Sequence, residues 1–544
     1  MKVFIYENMI NNFASPNIQD IDLIVSTKTS VFFKILILSV CMAFSLQAAF
    51  AQAPTITTFT PLHGAVGSSV TISGTNFNTL IANNIVFFGA TKATVTAAST
   101  TSLTVTVPTG ATFGPIFVLN NGTNLSTHSA QLFNPRFSPF RNKITTSDFS
   151  AKVDIAVPQV SYHIAAGDID GDGKVDILTT TDIGASYHRN TSTVGNVSFD
   201  ASTDLGTGLG KSEGVALGDI DGDGKLDVAI TNYNNNTVSI FLNTSTSGNI
   251  SFAAKADFTV GTAPYGVAIG DLDADGKPDL AVTNYDDFTV SILKSTGSLG
   301  NISVDPKVDY ATGNGPTGIK ISDIDGDGKP ELVIADWLFD SVSILRNTSA
   351  GSISFDPKVD YGLGDGTKSV AIGDLNGDQK PEIVVASFDA GVIAVLQNNS
   401  TPGGFVPGSF SDYVDLAIPG QSSSVVISDF NGDENLDLLT TNREHSKISI
   451  VRNKGLTGTI DANSFDGQIE FNAGNTPRFA TIADIDGDGK LDIAQIGNDN
   501  LISVFLSAPQ SNADLFNLTS TAGTLDPIFD SATTAYTVNV GGGT

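Results

Sequence analysis

The sequence predicts an all-β protein in which a small β-sandwich precedes a seven-bladed β-propeller. Three observations carry this reading. A nine-residue acidic segment occurs seven times, its starts 51, 52, 52, 51, 55 and 55 residues apart, and a fixed period near fifty marks a repeat architecture. Each copy is flanked by the same four strand-like pieces, and antiparallel four-stranded units in such number build a propeller. Ahead of the repeats, runs of alternating Val, Ile and Thr are broken by Gly, Pro and Asn turns, the pattern of a sandwich.

Taken in order, the chain of 544 residues opens on an apolar run, 31–51, preceded by Lys28 and interrupted by Lys34. Ile35–Leu46 has the length of a signal h-region, and Ala49-Phe50-Ala51 reads as an A-x-A cleavage site before Gln52. Residues 1–51 are therefore expected to be an export signal with a long n-region. The alternative is a retained anchor, since 31–51 could just span a bilayer. Cleavage would leave no membrane span, and with Cys41 gone it would leave no cysteine, so metal and packing must do what disulfides do in many exported proteins.

The next stretch, 54–135, alternates as a sandwich does. Pro61–Phe77 reads P-x-x-G-x-x-G-S-x-V-T-I-S-G-T-N-F, followed by FFGA and TVTVPTGATFGP. On these motifs 54–135 resembles an IPT/TIG domain, which implies an immunoglobulin-like fold serving as a spacer or recognition module. Residues 136–149 read as a linker.

Residues 150–507 hold the repeats. In the third, strand-like pieces 255–260 and 265–271 precede the acidic loop, and 279–285 and 289–295 follow it. Val267 and Ile269, Leu280 and Val282, and Val290 and Ile292 alternate with the period of strands. A K-x-D-type strand stands ahead of every acidic loop, beginning with 150–157, and none follows the seventh. The surplus strand at 150–157 is thus expected to complete the last blade and close the ring.

The acidic segments carry the chemistry. Carboxylates at positions 1, 3, 5 and 9 put hard oxygen donors on a tight loop, and the position-7 carbonyl can add another. The expected ligands are Asp168, Asp170, Asp172, Asp176 and the Lys174 carbonyl in the first loop, and Asp219, Asp221, Asp223, Asp227 and the Lys225 carbonyl in the second. The third offers Asp271, Asp273, Asp275, Asp279 and the Lys277 carbonyl; the fourth, Asp323, Asp325, Asp327, Glu331 and the Lys329 carbonyl. The seventh offers Asp484, Asp486, Asp488, Asp492 and the Lys490 carbonyl.

The fifth loop (Asp374, Asn376, Asp378, Glu382) and the sixth (Asp429, Asn431, Asp433, Asp437) place Asn at position 3 and Gln379 or Glu434 where the others have glycine. A non-glycine residue in the left-handed region costs on the order of 1 kcal/mol, so these two are expected to bind weakly or not at all. Two carboxylates about 4 Å apart repel by roughly 4 kcal/mol at an effective dielectric near 20. A cation must offset this. Ca2+, which accepts six to eight oxygens in flexible geometry, suits the loops better than Mg2+, giving up to seven sites, five of them strong.

VALGDIDGDGKLDVAITN (215–232) and VAIGDLDADGKPDLAVTN (267–284) look like FG-GAP/VCBS repeats, as in the propeller head of integrin α subunits. The resemblance covers about 150–507 and implies that the acidic loops join the first two strands of each blade and crowd one face of the disc. From Asn512 the chain resembles the opening of a cadherin-like sandwich, carried by Asn512–Leu515 and Tyr536–Val538, and 512–544 is too short to close one.

Other signals are weaker. The seven loops hold 27 of the 57 acidic residues and six of the 28 basic ones, so the formal charge of −29 belongs mainly to the loops and argues against a nucleic-acid partner. Five scattered histidines form no metalloprotease spacing, and 206–214 lacks the spacing of a phosphate loop. Asn190, Asn243 and Asn301 stand in glycosylation sequons, and Trp337 with Phe339 replaces the Asn-Tyr of other repeats.

The expected function is adhesion or recognition of an extracellular protein or glycan, at the cell surface or secreted, and not catalysis. Alternatives are a polysaccharide-acting enzyme with its site at the propeller channel, or a passive spacer. Non-repeated His, Arg or Tyr converging on the channel would favour the enzyme, and a featureless channel with an aromatic rim would favour binding.

Overall fold

The computed structural model describes residues 52–136, 143–206, 208–410, 413–418 and 420–508. The expected export signal and the cadherin-like opening lie outside the described residues. Among those residues every regular element is a strand or a short 3-10 turn, and no helix is long and apolar enough to cross a membrane.

The first body is an immunoglobulin-like sandwich of eight strands from Thr55–Thr60 to Leu125–Arg136. They pair antiparallel, except that His63–Ala65 runs parallel to 134–136. Alternate residues point inward, so Phe59, Ile72, Leu103, Val105, Ile116 and Phe133 form one core.

The second body is a ring of seven four-stranded sheets. In the third blade, from inside outward, the strands are Pro264–Gly270, Asp279–Asn284, Thr289–Leu293 and Val308–Ala311. Inner strands of neighbouring blades touch all the way round and so line the central channel. The second strand of each blade is buried on both faces. Leu280 and Val282 pack toward the second blade, while Ala281 packs toward the fourth. The alternation seen in the sequence is therefore one half of a double burial. A fully buried Val, Leu or Ile contributes about 1.5–3 kcal/mol, so these inter-blade layers are the main source of cohesion.

The ring closes as the strand count requires. Val153–Ala156 pairs antiparallel with Leu501–Phe505 as the outer strand of the seventh blade, Asp154 opposite Ser503. The Asp154 carboxylate accepts the Ser503 hydroxyl at 2.6 Å, as Asp309 accepts that of Ser291 at 2.6 Å inside the third blade. That bond is what the aspartate of the K-x-D strand supplies. The linker expected over 136–149 is corrected at both ends. Arg136 ends the last sandwich strand, while Ile144 and Phe149 are buried in the layer between the sixth and seventh blades, Phe149 bridging Ser507.

The acidic loops join first and second strands, and so share one face of the disc. The sandwich sits on that face. Its Ile85, Phe87, Phe117 and Leu119 pack on Leu226 of the second loop. The Ala90 carbonyl accepts the Asp168 amide at 3.1 Å, and Arg136 pairs with Glu434 of the sixth loop at 2.5 Å.

Candidate functional site

Each acidic segment is a loop wound round its own first carboxylate. In the second, Asp219 accepts the amides of Gly222, Asp223 and Gly224 at 2.9, 3.0 and 2.9 Å. Asp221 accepts the Asp223 amide at 3.0 Å, and Asp223 that of Lys225 at 2.8 Å. Asp227 takes the Ile220 amide and that of Asn243, at the end of the third strand, each at 2.8 Å. Gly224 has φ +81°, the turn that lets the chain wrap inward.

In five loops this winding gathers carboxylate oxygens within 4.8 Å of one another. The groups are Asp168, Asp170 and Asp176; Asp219, Asp221 and Asp227; Asp271, Asp273 and Asp279; Asp323, Asp325 and Glu331; and Asp484, Asp486 and Asp488. Position 5 thus stands outside the group in the first four loops, and position 9 outside it in the seventh. The fifth and sixth loops form no such group. Each keeps an Asn at position 3, and the amides of Asn376 and Asn431 donate to Asp378 and Asp433 at 3.4 and 2.9 Å. The amide there does part of a cation's work. Gln379 and Glu434 nevertheless adopt φ of +69° and +73°, so both loops keep the shared winding.

Burial is the chief cause of the raised pKa of these carboxyls, with neighbouring carboxylates adding to it. At position 1 it lifts Asp168, Asp429 and Asp484 to about 6 and Asp219 and Asp271 to about 7. At position 9, Asp176 rises to about 7, Asp279, Glu331, Glu382 and Asp492 to about 8, and Asp227 and Asp437 well above the ordinary range. The buried Oδ1 atoms of Asp168 and Asp273 meet no protein donor. Oxygen-only donors, orphaned atoms and mutual repulsion together fit a hard divalent cation.

Bases modulate the loops unevenly. Arg189 reaches Asp170 at 2.6 Å and Asp172 at 2.5 Å. Lys294 likewise bridges Asp273 and Asp275, Arg346 bridges Asp325 and Asp327, and Arg452 pairs with Asp433. The second loop, with Leu242 at the corresponding place, has no such base. Of the position-7 lysines, Lys174, Lys225 and Lys277 turn outward, donating to the carbonyls of Ser192, Ser245 and Gly297, whereas Lys490 pairs with Asp488 of its own loop.

Sequence reasoning missed a clasp beside five of the seven loops, the third and seventh having Ser295 and Ser507 at that place. The Asn190 amide donates to the carbonyls of Val175 and Ile485, both at 2.8 Å, joining the first blade to the seventh. Asn243, Asn347, Asn398 and Asn453 repeat this between later blades. Their recurrence sixteen residues after position 9 in four loops was the available signal. Asn190 and Asn243, expected as sequons, are instead buried structural amides.

Known proteins bear on this geometry. The FG-GAP-like repeat matches six overlapping stretches, 168–230, 219–282, 271–334, 323–385, 374–440 and 429–494, spanning more than half of the chain. The chain belongs to the FG-GAP repeat family. Ahead of this FG-GAP propeller, the IPT/TIG domain matches residues 54–134. Cartilage acidic protein 1 of Xenopus tropicalis is 24% identical over 413 residues, covering 67% of this chain and 61% of its own length. The FG-GAP chain thus spans less than two thirds of that relative. A streptogramin B lyase structure aligns with 67% of the chain and all of its own at 14% identity and TM-score 0.44. An auxiliary nutrient binding protein from Bacteroides thetaiotaomicron covers 84% of the chain and 98% of its own at 13% identity and TM-score 0.31.

Proposed function

We infer that this FG-GAP protein is an exported or surface-displayed propeller that holds Ca2+ in its acidic loops and acts in adhesion or recognition, not catalysis. Its partner would be an extracellular protein or glycan. The observation that carries the metal reading is the convergence of three carboxylates within 4.8 Å in five loops, two of them with an orphaned buried oxygen. The carboxylates at positions 1, 3 and 9 would hold the ion in the first four loops and those at 1, 3 and 5 in the seventh, with the remaining carboxylate and the position-7 carbonyl completing the set. All are oxygens, and a flexible set of this kind suits Ca2+ over Mg2+. The ion supplies positive charge; the chain supplies the winding, the clasps and the dry surroundings. Extracellular modules bind Ca2+ at roughly 10⁻⁴–10⁻³ M, which fits the expected export. The likeness to Cartilage acidic protein 1 supports the same direction.

The test is a calorimetric melt of the purified chain with Ca2+ and with EDTA, alongside metal stoichiometry by mass spectrometry. Five or more bound Ca2+ and a transition lowered by chelation are expected. An unmoved transition would defeat the reading.

A further inference from the structure

The end of the channel opposite the acidic loops carries a largely aromatic rim that varies from blade to blade: Tyr233, Tyr285, Trp337, Phe388 and Arg443 hold one equivalent place, just past the second strand, in the second to sixth blades. Inner strands begin at this mouth and second strands end there. Every blade therefore contributes one or two side chains at these two points. Tyr162 comes from the first blade, Tyr233 from the second, Tyr265 and Tyr285 from the third and Trp337 from the fourth. Phe388 and Lys368 come from the fifth, Arg443 from the sixth and Arg478 from the seventh.

These side chains touch in sequence round the mouth. Ring centroids lie 6.2 Å apart for Tyr265–Tyr285, 6.4 Å for Tyr285–Trp337 and 5.7 Å for Trp337–Phe388. Lys368 stands 4.6 Å from the Trp337 centroid and 4.9 Å from that of Phe388, and Arg443 lies 5.7 Å from Phe388. Arg478 stacks on Tyr162 at 4.6 Å, and Lys211 lies between Tyr162 and Tyr233 at 4.9 and 4.8 Å.

The charges are unbalanced. Lys211 has its partner in Glu213 at 2.5 Å. Among the described residues, Lys368, Arg443 and Arg478 form no ion pair, although the chain carries a formal charge of −29. Lys368 is only 5% exposed. Burial brings its ammonium down to about 8, and the two arginines push the same way. Glu213 and Asp389 lie near enough to favour the charged ammonium of Lys368, yet neither forms an ion pair with any of the three cations, so an added anion within reach of all three would be stabilised. Acceptors stand close by: Asp182 takes the Tyr162 hydroxyl at 2.7 Å and Asp389 the Trp337 indole at 3.4 Å.

We propose that this mouth binds an anionic saccharide, its carboxylate or sulfate seated among Lys368, Arg443 and Arg478 and its ring faces against the Trp337–Tyr285 aromatic arc. An acidic peptide fits less well. Asp182, Asp389 and Glu213 would repel a second acid but accept sugar hydroxyls, and flat aromatic surfaces match pyranose rings. The inference narrows the recognition reading above and rests on it.

The experiment uses the whole Ca2+-loaded chain and four soluble polymers in calorimetric titration: polygalacturonate, chondroitin sulfate, neutral dextran and polyglutamate. Binding to one or both acidic glycans, lost in 1 M salt and absent with dextran and polyglutamate, is expected. Lys368→Met with Arg443→Gln should weaken it at least tenfold without lowering the melting temperature, and Trp337→Ala should weaken binding likewise. Arg443→Lys should retain part of it. Polyglutamate binding as well as the glycans would overturn the proposal, as would binding indifferent to these substitutions, while leaving recognition elsewhere on the chain intact. Depolymerisation of the bound glycan would make the mouth a catalytic site and sink both the proposal and the recognition reading. A folded chain that binds none of the four polymers, nor any member of a matrix-protein array, would likewise sink both.

Discussion

The Ser126 amide donates to the carbonyl of Gly276 at 2.7 Å, which ties the last strand of the sandwich to position 6 of the third acidic loop. The same face holds Gly224 against Ile85, so tightly that a Cβ on Gly224 would lie 2.2 Å from Ile85 Cδ1. The sandwich therefore rests on the loops proposed to hold metal.

This relationship separates two otherwise equal substitutions. Gly173 and Gly224 occupy position 6 of neighbouring loops, with φ of +87° and +81°, and nothing lies within 4 Å of a Cβ on Gly173. Alanine at either costs about 1 kcal/mol of backbone strain. Gly224→Ala additionally forces Ile85 aside, for about 1–3 kcal/mol more. We expect a clearly lower melting temperature for Gly224→Ala than for Gly173→Ala; equal values would contradict the docked sandwich.

Chelation should expose a pH dependence of definite sign. Without metal, Asp176, Asp219 and Asp271, at about 7, and Asp279, Glu331, Glu382 and Asp492, at about 8, hold protons that the unfolded chain released near pH 4. The unfolded state then binds fewer protons, so stability falls as pH rises through this range. Burial lowers His128, His163 and His188 to about 4, so their opposing contribution is confined to pH below about 6.5. Melting in EDTA should thus drop between pH 6.5 and 8, and excess Ca2+ should remove most of the drop, leaving the share of Glu382 in the fifth loop.

The asparagine clasps are testable against a matched control. Asn190→Ala removes three buried hydrogen bonds, stranding the carbonyls of Val175 and Ile485 and the amide of Ser192, at a cost of about 2–4 kcal/mol. Asn301 is exposed in an outer hairpin, and Asn301→Ala should stay within about 0.5 kcal/mol. Urea titration of the two variants measures both.

The loops should load unequally. Arg189 occupies Asp170 and Asp172, whereas no base bridges Asp221 and Asp223. Hydrogen exchange across a Ca2+ titration should show 219–227 protected at lower concentration than 168–176. Arg189→Gln should move the first loop toward the second, by roughly tenfold for each 1.4 kcal/mol of competition removed.

Much of this was legible in the residues. The acidic period located every blade, and the unmatched strand at 150–157 told which blade it would complete. Other features were hidden for identifiable reasons. Asn190 sits in a Thr-Ser context that reads as a surface sequon, and only its hydrogen bond to Ile485, 295 positions away, shows otherwise. Arg189 and Lys294 look like ordinary strand-end bases until folding sets them over position 3. The mouth of the channel was hidden as a whole, because its members come from seven blades, although the Asn-Tyr pairs at 232–233 and 284–285 and their replacement at Trp337 stood open in the sequence. Glu434 shows in the sequence only the strain it brings to its turn, whereas its carboxylate also reaches Arg136 of the sandwich.

The pairing of 153–156 with 501–505 also sets an order of events during synthesis. The strand that completes the final blade is made first and must wait, unmatched, while some 340 further residues emerge. Until then the nascent chain exposes a raw sheet edge open to wrong pairing. A cell that makes this protein must shelter that edge or delay folding until the last blade is made, and a chain cut short before the seventh blade would never become a finished disc.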